Sequence, residues 1–371
     1  MSRVIISSYY DGRDDPCDAC SGSLVVRQIA RYLSRSHEVM VISGSLPGYR
    51  QEQIEPFQQM NVPTGWVVPQ AGQAVFHHLL AKVAMRVTHD LWIESFPSVS
   101  FGVVPSVTSK PVIALAQRSS VHDRRRRKGP LAHKQRKRLA GYERFVVPDE
   151  ATCRLVRRAR HDANCTIIPN GVGLPDAPAP PGQGGHILYL GRIDVERKGL
   201  DLLLAAITAA KPQLPLLVAG AGTPAEETKL TRLFQQNCGP VARVGHVSGP
   251  AKETLLRDCA FLVLPSRCDT SGQAALEALA WGKPVVHFDL PWLRWIGDEA
   301  AVRVPAFDVD ALAVAIRTLA IDDVRRSRMS WAARRTAERY SWPKIGQRYL
   351  DIVDRCLSRQ NIRDGFRKAA G

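Results

Sequence analysis

The stretch "HILYLGRIDVERKGLDLLLAAITAAKPQLPLLVAGAG", residues 186–222, decides the fold of the second half of this chain. Two apolar runs, HILYL and LPLLVAG, flank a segment of helix length that is rich in Leu and Ala. Nearly continuous apolar runs of this kind are typical of strands buried on both faces, as in parallel sheets covered by helices. We therefore predict a strand, a helix and a second, parallel strand.

The same alternation of apolar runs and helical segments extends over both halves of the chain. Further strands are predicted at RVIISSYY, HEVMVISG, DLWIES, PVIALAQ, RFVVPD and CTIIPNGV, and then at VARVGHV, CAFLVLPS and KPVVHFDL. The stretch "LPDAPAPPGQGG", residues 174–185, is rich in Pro and Gly, has no hydrophobic period, and is predicted to be a linker.

These patterns predict two doubly wound α/β domains of Rossmann-like type. Their expected bounds are residues 1–173 and 186–345, and a carboxyl-terminal helix over residues 346–371 is expected to pack back towards the first domain. Ligands of such sheets bind outside the carboxyl ends of the strands. We therefore expect the two domains to face each other across a ligand-binding cleft.

Composition is that of an ordinary two-domain protein, with 371 residues of which 45% are hydrophobic and 23% charged. No signal peptide and no apolar stretch of membrane-spanning length is recognised, so we expect a cytoplasmic protein. The eight cysteines are scattered, and reduced thiols are expected. Cys17 and Cys20 form the one CxxC, which has no second pair, so neither a metal nor another cofactor is predicted.

Positive charge is concentrated in one segment of a chain whose formal net charge is +16. Between Arg118 and Arg138, ten residues are Lys or Arg and Asp123 is the only acid. Such a density attracts nucleic acid or anionic lipid, and the alternative is a solvated basic loop. Nucleic acid is not expected as a partner, because aromatic residues are not interleaved with the cations and no known binding module is visible.

Two cations and two carboxylates follow predicted strands of the second domain. Arg192 lies at the carboxyl end of HILYLGRI, and Lys198 is predicted to open the next helix, a pairing that suits a diphosphate. In "LPSRCDTSGQAALEALAWGKPVVHF", residues 264–288, Asp269 precedes a predicted helix that contains Glu277. Alone, these two acids read as a helix cap and a solvated side chain. Together with the cations they suggest a nucleotide sugar, whose hydroxyls carboxylates can bind.

Nearly the whole chain, and most strongly the part from about residue 165 to 290, resembles glycosyltransferase family 4, whose members are retaining enzymes of GT-B fold. The resemblance is carried by "IIPNGV", "GRIDVERKGLDLLLAA", "VAGAG", "VGHVS" and "LPSRCDTSGQAALEALAWGKPVV". It implies that Arg192 and Lys198 hold the donor diphosphate. It also implies that Asp269 and Glu277 stand for the family's E-x7-E pair, in which the first acid contacts sugar hydroxyls and the second the ribose. Here the first acid is Asp and the usual GFG is TSG, which leaves the donor sugar open.

The resemblance extends to further donor contacts and to the acceptor side. "ACSGSLVVRQIARYLSRSHEVMVISG" is similar to the family's glycine-rich loop, helix and second strand, with Gly22 where two glycines are usual. The remaining donor contacts that it implies are Gly191, Gly245, His246, Val247, Ser271, Gly272 and Gln273. On the acceptor or membrane side we place Gln117, where many members have a histidine, and Arg118, Arg124, Arg125, Arg126 and Arg127.

The implied activity is transfer of a sugar from a nucleotide-sugar donor, with retention, to a glycan, a glycolipid or a polysaccharide precursor. No metal is expected in this reaction, and the basic segment is expected to contact an anionic membrane surface as a peripheral protein. The alternatives are a transferase acting on a soluble small-molecule acceptor, a nucleotide-sugar epimerase of the same fold, and a nucleic-acid-binding protein.

Overall fold

A computed structural model of the chain describes residues 1–8, 21–45, 56–63, 69–96, 103–116, 139–236, 239–268 and 272–369. The chain divides into two compact units. Unit 1 comprises Met1–Gly171 together with Trp342–Gly371, and unit 2 comprises Val172–Ser341. The sequence-based boundaries were residues 174–185 and residue 346.

Unit 1 is built on a parallel sheet of seven strands in the described residues, in the order β3-β2-β1-β4-β5-β6-β7. The strands are β1 Arg3–Ser8, β2 Glu38–Ser45, β3 Gln58–Pro63, β4 Leu91–Phe96, β5 Val112–Ala116, β6 Arg144–Val147 and β7 Cys165–Ile167. The connecting helices are α1 Ser21–Leu33, α2 Pro69–Ala84, a 3-10 turn at Val104–Ser106, and α3 Glu150–Ala159. One face of the sheet packs on α1 and the opposite face on α2.

Unit 2 is a second parallel sheet, with the order β10-β9-β8-β11-β12-β13. Its strands are β8 His186–Leu190, β9 Leu216–Ala219, β10 Val241–Gly245, β11 Cys259–Leu264, β12 Val285–Phe288 and β13 Ala301–Val304. Its helices are α4 Val195–Lys198, α5 Leu200–Ala210, α6 Pro224–Gln236, α7 Gly249–Asp258, α8 Gln273–Ala280, α9 Val309–Ile321 and α10 Asp323–Arg339. The strand order reverses between β8 and β11, and ligands bind at such switch points in open α/β sheets.

The opening stretch of residues 186–222 folds because its apolar side chains are buried on both sides of the sheet. All five residues of β8 are buried. Leu203, Leu204 and Ile207 of α5 enter the same core as Ile187 and Tyr189 of β8. The predicted strand, helix and parallel strand are confirmed here, since β8 pairs in parallel with β9.

The carboxyl-terminal helix, α11 Trp342–Ala369, packs within unit 1. Its Ile345, Tyr349 and Val353 share a core with Val25 and Ile29 of α1. A Cβ at Gly346 would lie 2.2 Å from Cγ of Tyr32, so a glycine is needed where the two helices meet. The last segment of the chain is therefore part of the unit that the first segment begins.

The Pro- and Gly-rich segment 174–185, predicted to be a linker, is hydrogen-bonded to α10 at Pro175, Pro181 and Gly182. Arg326 donates from Nε to the carbonyl of Gly182 at 2.9 Å, and the Gly182 amide donates to Ser330 Oγ at 3.2 Å. Arg334 donates to the carbonyl of Pro175 at 2.9 Å. Backbone carbonyls of this segment thus serve as acceptors for arginines of α10.

No helix in the described residues is long and apolar enough to cross a membrane. The cysteines in the described part of the chain are free thiols, namely Cys153, Cys165, Cys259, Cys268 and Cys356. Cys17 and Cys20 lie outside the described residues.

Candidate functional site

Three glycines allow the carboxyl ends of β8, β9 and β10 to meet closely. The Gly191 amide donates to Ala219 O at 3.1 Å, and the Gly220 amide donates to Gly245 O at 2.7 Å. A Cβ at Gly220 would lie 1.7 Å from Gly191 O, and Gly245 has φ of 89°. The predicted donor contacts Gly191 and Gly245 thus lie at one edge of one sheet, where a ligand can approach the backbone.

Arg192 leaves this edge with an exposed side chain. Its backbone is held by Tyr189, whose hydroxyl donates to the Arg192 carbonyl at 2.8 Å. Its guanidinium forms no ion pair or hydrogen bond with any other residue that the structure describes. An exposed guanidinium on a fixed backbone at the end of a parallel strand is suited to an anionic ligand.

Lys198 is the last residue of the short helix α4. The sequence predicted that Lys198 would open the following helix, and the structure differs in this. Asp194 caps α4 by accepting from the Arg197 amide at 3.1 Å. Gly199 then takes the left-handed conformation, with φ of 68°, and only after it does α5 begin. Repetition of the helical pattern across Gly199 concealed this break, because a single left-handed glycine stops one helix and starts the next.

The turn after α4 lies directly against the loop that follows β11. A Cβ at Gly199 would lie 2.0 Å from the carbonyl oxygen of Pro265. The amides of Arg267 and Cys268 both donate to the carbonyl of Arg197, at 3.0 and 3.3 Å. The tertiary fold therefore brings the Lys198 turn next to the residue that precedes Asp269.

An ion pair that sequence reasoning missed fastens these two loops. Arg267 contacts Asp201 of α5 through two guanidinium nitrogens, each 2.7 Å from a different carboxylate oxygen. Arg267 also donates to the carbonyl of Glu196 at 2.6 Å. We call this pair the Arg267–Asp201 clamp. The available signal was its position, since Arg267 stands two residues before Asp269 and Asp201 three residues after Lys198.

Helix α8 points its amino end into the same region. Gly272, its N-cap, is left-handed with φ of 61°, and a Cβ there would lie 2.9 Å from Leu293 Cδ2. The first intrahelical bond runs from the Leu276 amide to the Gly272 carbonyl. The amides of Ala274 and Ala275, in the turn before this bond, have no acceptor within the helix and can bind an anion.

Glu277 lies on α8 and is paired with a lysine of α7. Lys252 Nζ is 3.1 Å from Glu277 Oε1, and the two side chains are 27% and 18% exposed. Because both side chains are mostly buried, solvent and salt screen this pair less than a surface pair. Lys252 was not identified from the sequence, because "GPAKETLLRD" reads only as an amphipathic helix with charged residues on its exposed face.

The remaining predicted donor contacts follow β10 or lie in unit 1. His246 is exposed, and Val247 packs at the edge of the unit 2 core just before α7. Gly22 lies in the first turn of α1, in unit 1. The other predicted residues lie outside the described part of the chain, namely Asp269, Ser271, Gln117, Arg118, Arg124, Arg125, Arg126 and Arg127.

Unit 1 carries a buried polar cluster near the carboxyl ends of β1 and β4. The hydroxyl of Tyr142 donates to Glu94 Oε2 at 2.7 Å, and Trp92 donates from Nε1 to Ser7 Oγ at 2.8 Å. Burial raises the pKa of Glu94 to about 8, and hydrogen bonds from Tyr142 and nearby backbone amides offset only part of that effect. Glu94 is therefore largely protonated at neutral pH.

No group of three or more His, Cys, Asp or Glu side chains in the described residues is arranged to hold a metal ion.

Known proteins with similar sequences are glycosyltransferases. Residues 184–322 match the family described as glycosyl transferases group 1. A phosphatidyl-myo-inositol mannosyltransferase of Mycolicibacterium smegmatis is 29% identical over 231 residues, which cover 58% of this chain and 59% of that protein. A D-inositol 3-phosphate glycosyltransferase of Xylanimonas cellulosilytica is 31% identical over 226 residues, covering 58% and 49%. The chain thus spans 59% and 49% of the length of these two relatives.

The fold has close structural counterparts. A sucrose-phosphate synthase from Thermosynechococcus elongatus superposes with a TM-score of 0.81 at 18% identity, over 96% of this chain and 100% of that one. The two parallel-sheet units and this likeness confirm the GT-B fold that the sequence predicted. The sequence similarity to glycosyltransferases covers residues 184–322 for the family and 58% of the chain for the two relatives.

Proposed function

We propose that this chain is a retaining glycosyltransferase of family 4 that transfers a hexose from a nucleotide-sugar donor. One observation carries the proposal. Exposed Arg192, the Lys198 turn and the amino end of α8 gather at the carboxyl edge of one sheet, with Glu277 further along α8. Cations and the amino end of a helix suit a diphosphate, and a carboxylate beyond them suits the hydroxyls of a ribose.

The reaction needs charge stabilisation at the leaving group. As the bond between the anomeric carbon and the β-phosphate oxygen breaks, negative charge develops on that phosphate. Arg192, Lys198 and the α8 amides stabilise it. The acceptor hydroxyl attacks the anomeric carbon from the same face, and its proton passes to the departing phosphate oxygen. The configuration is retained, and neither a metal nor a covalent intermediate on the enzyme is involved.

The two carboxylates divide the donor between them in this proposal. Asp269 orients the sugar through its hydroxyls and is not a nucleophile. Glu277 binds the ribose, and its pairing with Lys252 orients the carboxylate. The aspartate is one methylene shorter than the family's usual glutamate, so the preferred sugar is a property to be measured.

We propose a glycan, glycolipid or polysaccharide precursor as the acceptor, taken at the cytoplasmic face of a membrane. Support comes from the relative in Mycolicibacterium smegmatis, which is named as a phosphatidyl-myo-inositol mannosyltransferase. The segment from Arg118 to Arg138, with its ten Lys and Arg residues, is proposed to hold the enzyme on anionic lipid as a peripheral protein. Each such residue contributes about 1 kcal/mol near an anionic surface.

A soluble acceptor is the second candidate. It is favoured by the relative named as a D-inositol 3-phosphate glycosyltransferase, whose acceptor carries no lipid. In that case the basic segment is a solvated loop or a contact for the acceptor's phosphate.

A donor and acceptor screen tests the proposal. The purified full chain is incubated with UDP-, GDP- and other nucleotide-linked hexoses, with vesicles that contain phosphatidylinositol or with a soluble inositol phosphate. We expect release of one nucleoside diphosphate and a product of unchanged anomeric configuration, read by NMR, without added metal and in the presence of EDTA. Conversion of a donor into an isomeric nucleotide sugar without any acceptor would instead identify an epimerase. An inverted product, or no turnover of any donor, would refute the proposed reaction.

A further inference from the structure

Helix α10 presents large apolar side chains to solvent. Trp331 is 65% exposed and Val324 is 59% exposed, and Ile321, at the end of the preceding helix, is 63% exposed. Tryptophan is rarely left so accessible in a folded domain, and clusters of exposed apolar groups usually mark contact sites. These three residues lie on either side of the short junction at Asp322, which caps α10.

A row of arginines accompanies Trp331 along the same side of the helix. At about 100° per residue, Val324, Arg328, Trp331, Arg335 and Arg339 fall within an arc of about 80°. All five are exposed. We call them the α10 stripe. Because α10 runs for 17 residues, the stripe is a straight line of cations interrupted by one indole.

The arginines of the stripe have no acidic partners in the described part of the chain. Arg328, Arg335 and Arg339 form no ion pair or side-chain hydrogen bond there. Arg326, on the opposite side of the same helix, donates to backbone carbonyls. Arg334, beside the stripe, donates to carbonyls and lies 3.8 Å from Glu338. The stripe therefore carries uncompensated positive charge that an anionic surface would neutralise.

The helix that carries the stripe is rigidly supported. Ala333 and Ala337 of its buried face pack in one core with Leu276 and Leu279 of α8. Arg334 also donates to the carbonyl of Ala280, the last residue of α8, at 2.6 Å. A surface on α10 is thus fixed to the helix that bears Glu277, and its exposed side chains keep a constant spacing.

We propose that the α10 stripe is a contact surface for an anionic lipid bilayer. Arginine binds lipid phosphates through its planar fork, and tryptophan favours the interface where an apolar ring meets water and headgroups. Val324 and Ile321 add aliphatic groups beside the indole. Three arginines that contact an anionic bilayer raise the affinity of the protein for that bilayer on the order of 100-fold. The inference does not depend on the proposed reaction, and it adds a surface distinct from the Arg118–Arg138 segment.

Co-sedimentation with vesicles tests the stripe. All proteins carry Arg124 to Arg127 replaced by Ser, so that the predicted basic segment does not mask the result. In that background, the parent is compared with Arg328→Gln/Arg335→Gln/Arg339→Gln. A matched control, Arg154→Gln/Arg157→Gln/Arg158→Gln, removes the same charge from exposed positions of α3.

The parent should pellet with vesicles of phosphatidylcholine and phosphatidylglycerol at low salt, and not with phosphatidylcholine alone. The stripe variant should lose affinity on the order of 100-fold, and the control should stay within about threefold of the parent. An equal loss in the control would show attraction by net charge, and would overturn the proposal. The same holds if the stripe variant keeps its vesicle affinity but loses binding to a short DNA duplex.

A second measurement needs no arginine variant and so does not depend on the folding of one. Tryptophan emission of the otherwise native chain and of Trp331→Phe is compared on vesicles with brominated acyl chains. The difference between the two spectra gives the emission of Trp331. We expect this emission to shift to shorter wavelength on vesicles and to be quenched by bromine. A difference spectrum that is unchanged by brominated vesicles, in samples where the protein pellets, would remove Trp331 from the interface and overturn the proposal.

Discussion

Arg267 and Asp201 are joined by two parallel contacts of 2.7 Å, although 66 positions separate them in the chain. This clamp connects the loop after β11 to the first turn of α5, immediately after the Lys198 turn. Both side chains are about one third exposed, so the contribution to global stability is small, about 0–1 kcal/mol. Its consequence is geometric, because it holds the loop after β11 against the Lys198 turn.

The clamp predicts a selective defect when it is broken. Asp201→Asn should lower the affinity for a nucleoside diphosphate about tenfold, since misplacement by less than 1 Å weakens charge-assisted bonds, and leave the affinity for the nucleoside alone unchanged. Arg267→Lys, which keeps the charge but not the fork, should be intermediate. Calorimetry measures the affinity for the nucleoside diphosphate, and competition NMR measures the affinity for the nucleoside. Equal losses for both ligands would point to a general disturbance of unit 2.

Arg192 and Lys198 are predicted to act on the transition state. Arg192→Ala and Lys198→Ala should each lower turnover by roughly two to three orders of magnitude, with little effect on thermal stability. The matched control is Arg232→Ala, which removes an exposed arginine of α6, and its turnover should equal that of the unsubstituted chain. Steady-state kinetics at saturating donor and acceptor measure the turnover of each variant. Near-parental turnover by both variants would remove the two residues from the mechanism.

Glu277 and Lys252 are predicted to govern nucleotide affinity. Glu277→Gln should weaken binding of the nucleoside diphosphate about tenfold, the cost of about one charge-assisted hydrogen bond. Lys252→Met, which keeps the length but not the charge, should weaken it less, because Glu277 loses the partner that holds it at 3.1 Å. Calorimetry on the two single variants and the double variant gives the coupling between Glu277 and Lys252 in the free energy of nucleotide binding. If Glu277→Gln binds as tightly as the parent, the ribose assignment is wrong.

Asp269 is predicted to affect the sugar and not the nucleotide. Asp269→Asn should impair turnover and sugar selection, while the nucleoside diphosphate binds as before. Asp269→Glu adds one methylene and restores the usual family residue, so we expect it to change the order of preference among donors. Rates over the donor panel measure both effects. Weakened binding of the bare nucleoside diphosphate by Asp269→Asn would contradict the division of roles.

Glu94 makes the stability of unit 1 fall as the pH rises. Its pKa is raised from 4.5 to about 8 in the folded chain, so the folded state holds a proton that the unfolded state releases between those values. Stability is thus lost as pH rises from about 4.5 through 8, by on the order of 3–5 kcal/mol. Glu94→Gln should remove this slope. Urea midpoints at pH 5.5 and pH 8.5 test it, and parallel pH profiles for parent and variant would exclude Glu94 as the cause.

The sequence alone was sufficient for the parallel-sheet architecture and for the strand-end position of Arg192. Strands such as β8 and β11 are buried along their whole length, and their sequences are therefore nearly unbroken apolar runs that can be recognised without the structure. Strands β3 and β13 were not predicted, and each lies at the edge of its sheet. An edge strand has only one neighbour and can be partly exposed. The sequences of these two, QQMNVP and AVRV, contain no continuous apolar run of strand length, whereas the edge strands β7 and β10 were predicted from CTIIPNGV and VARVGHV.

Tertiary structure decided which charged groups meet. Lys252 and Glu277 are 25 positions apart, and each taken alone reads as a charged residue on a helix. Arg267 and Asp201 meet only because β8 and β11 are neighbours in the sheet, which places the loops after them side by side. The apolar pattern of a segment is a local property and can be read along the chain. The pairing of distant side chains depends on strand order and on the left-handed turns at Gly199 and Gly272, which appear only when the chain is folded.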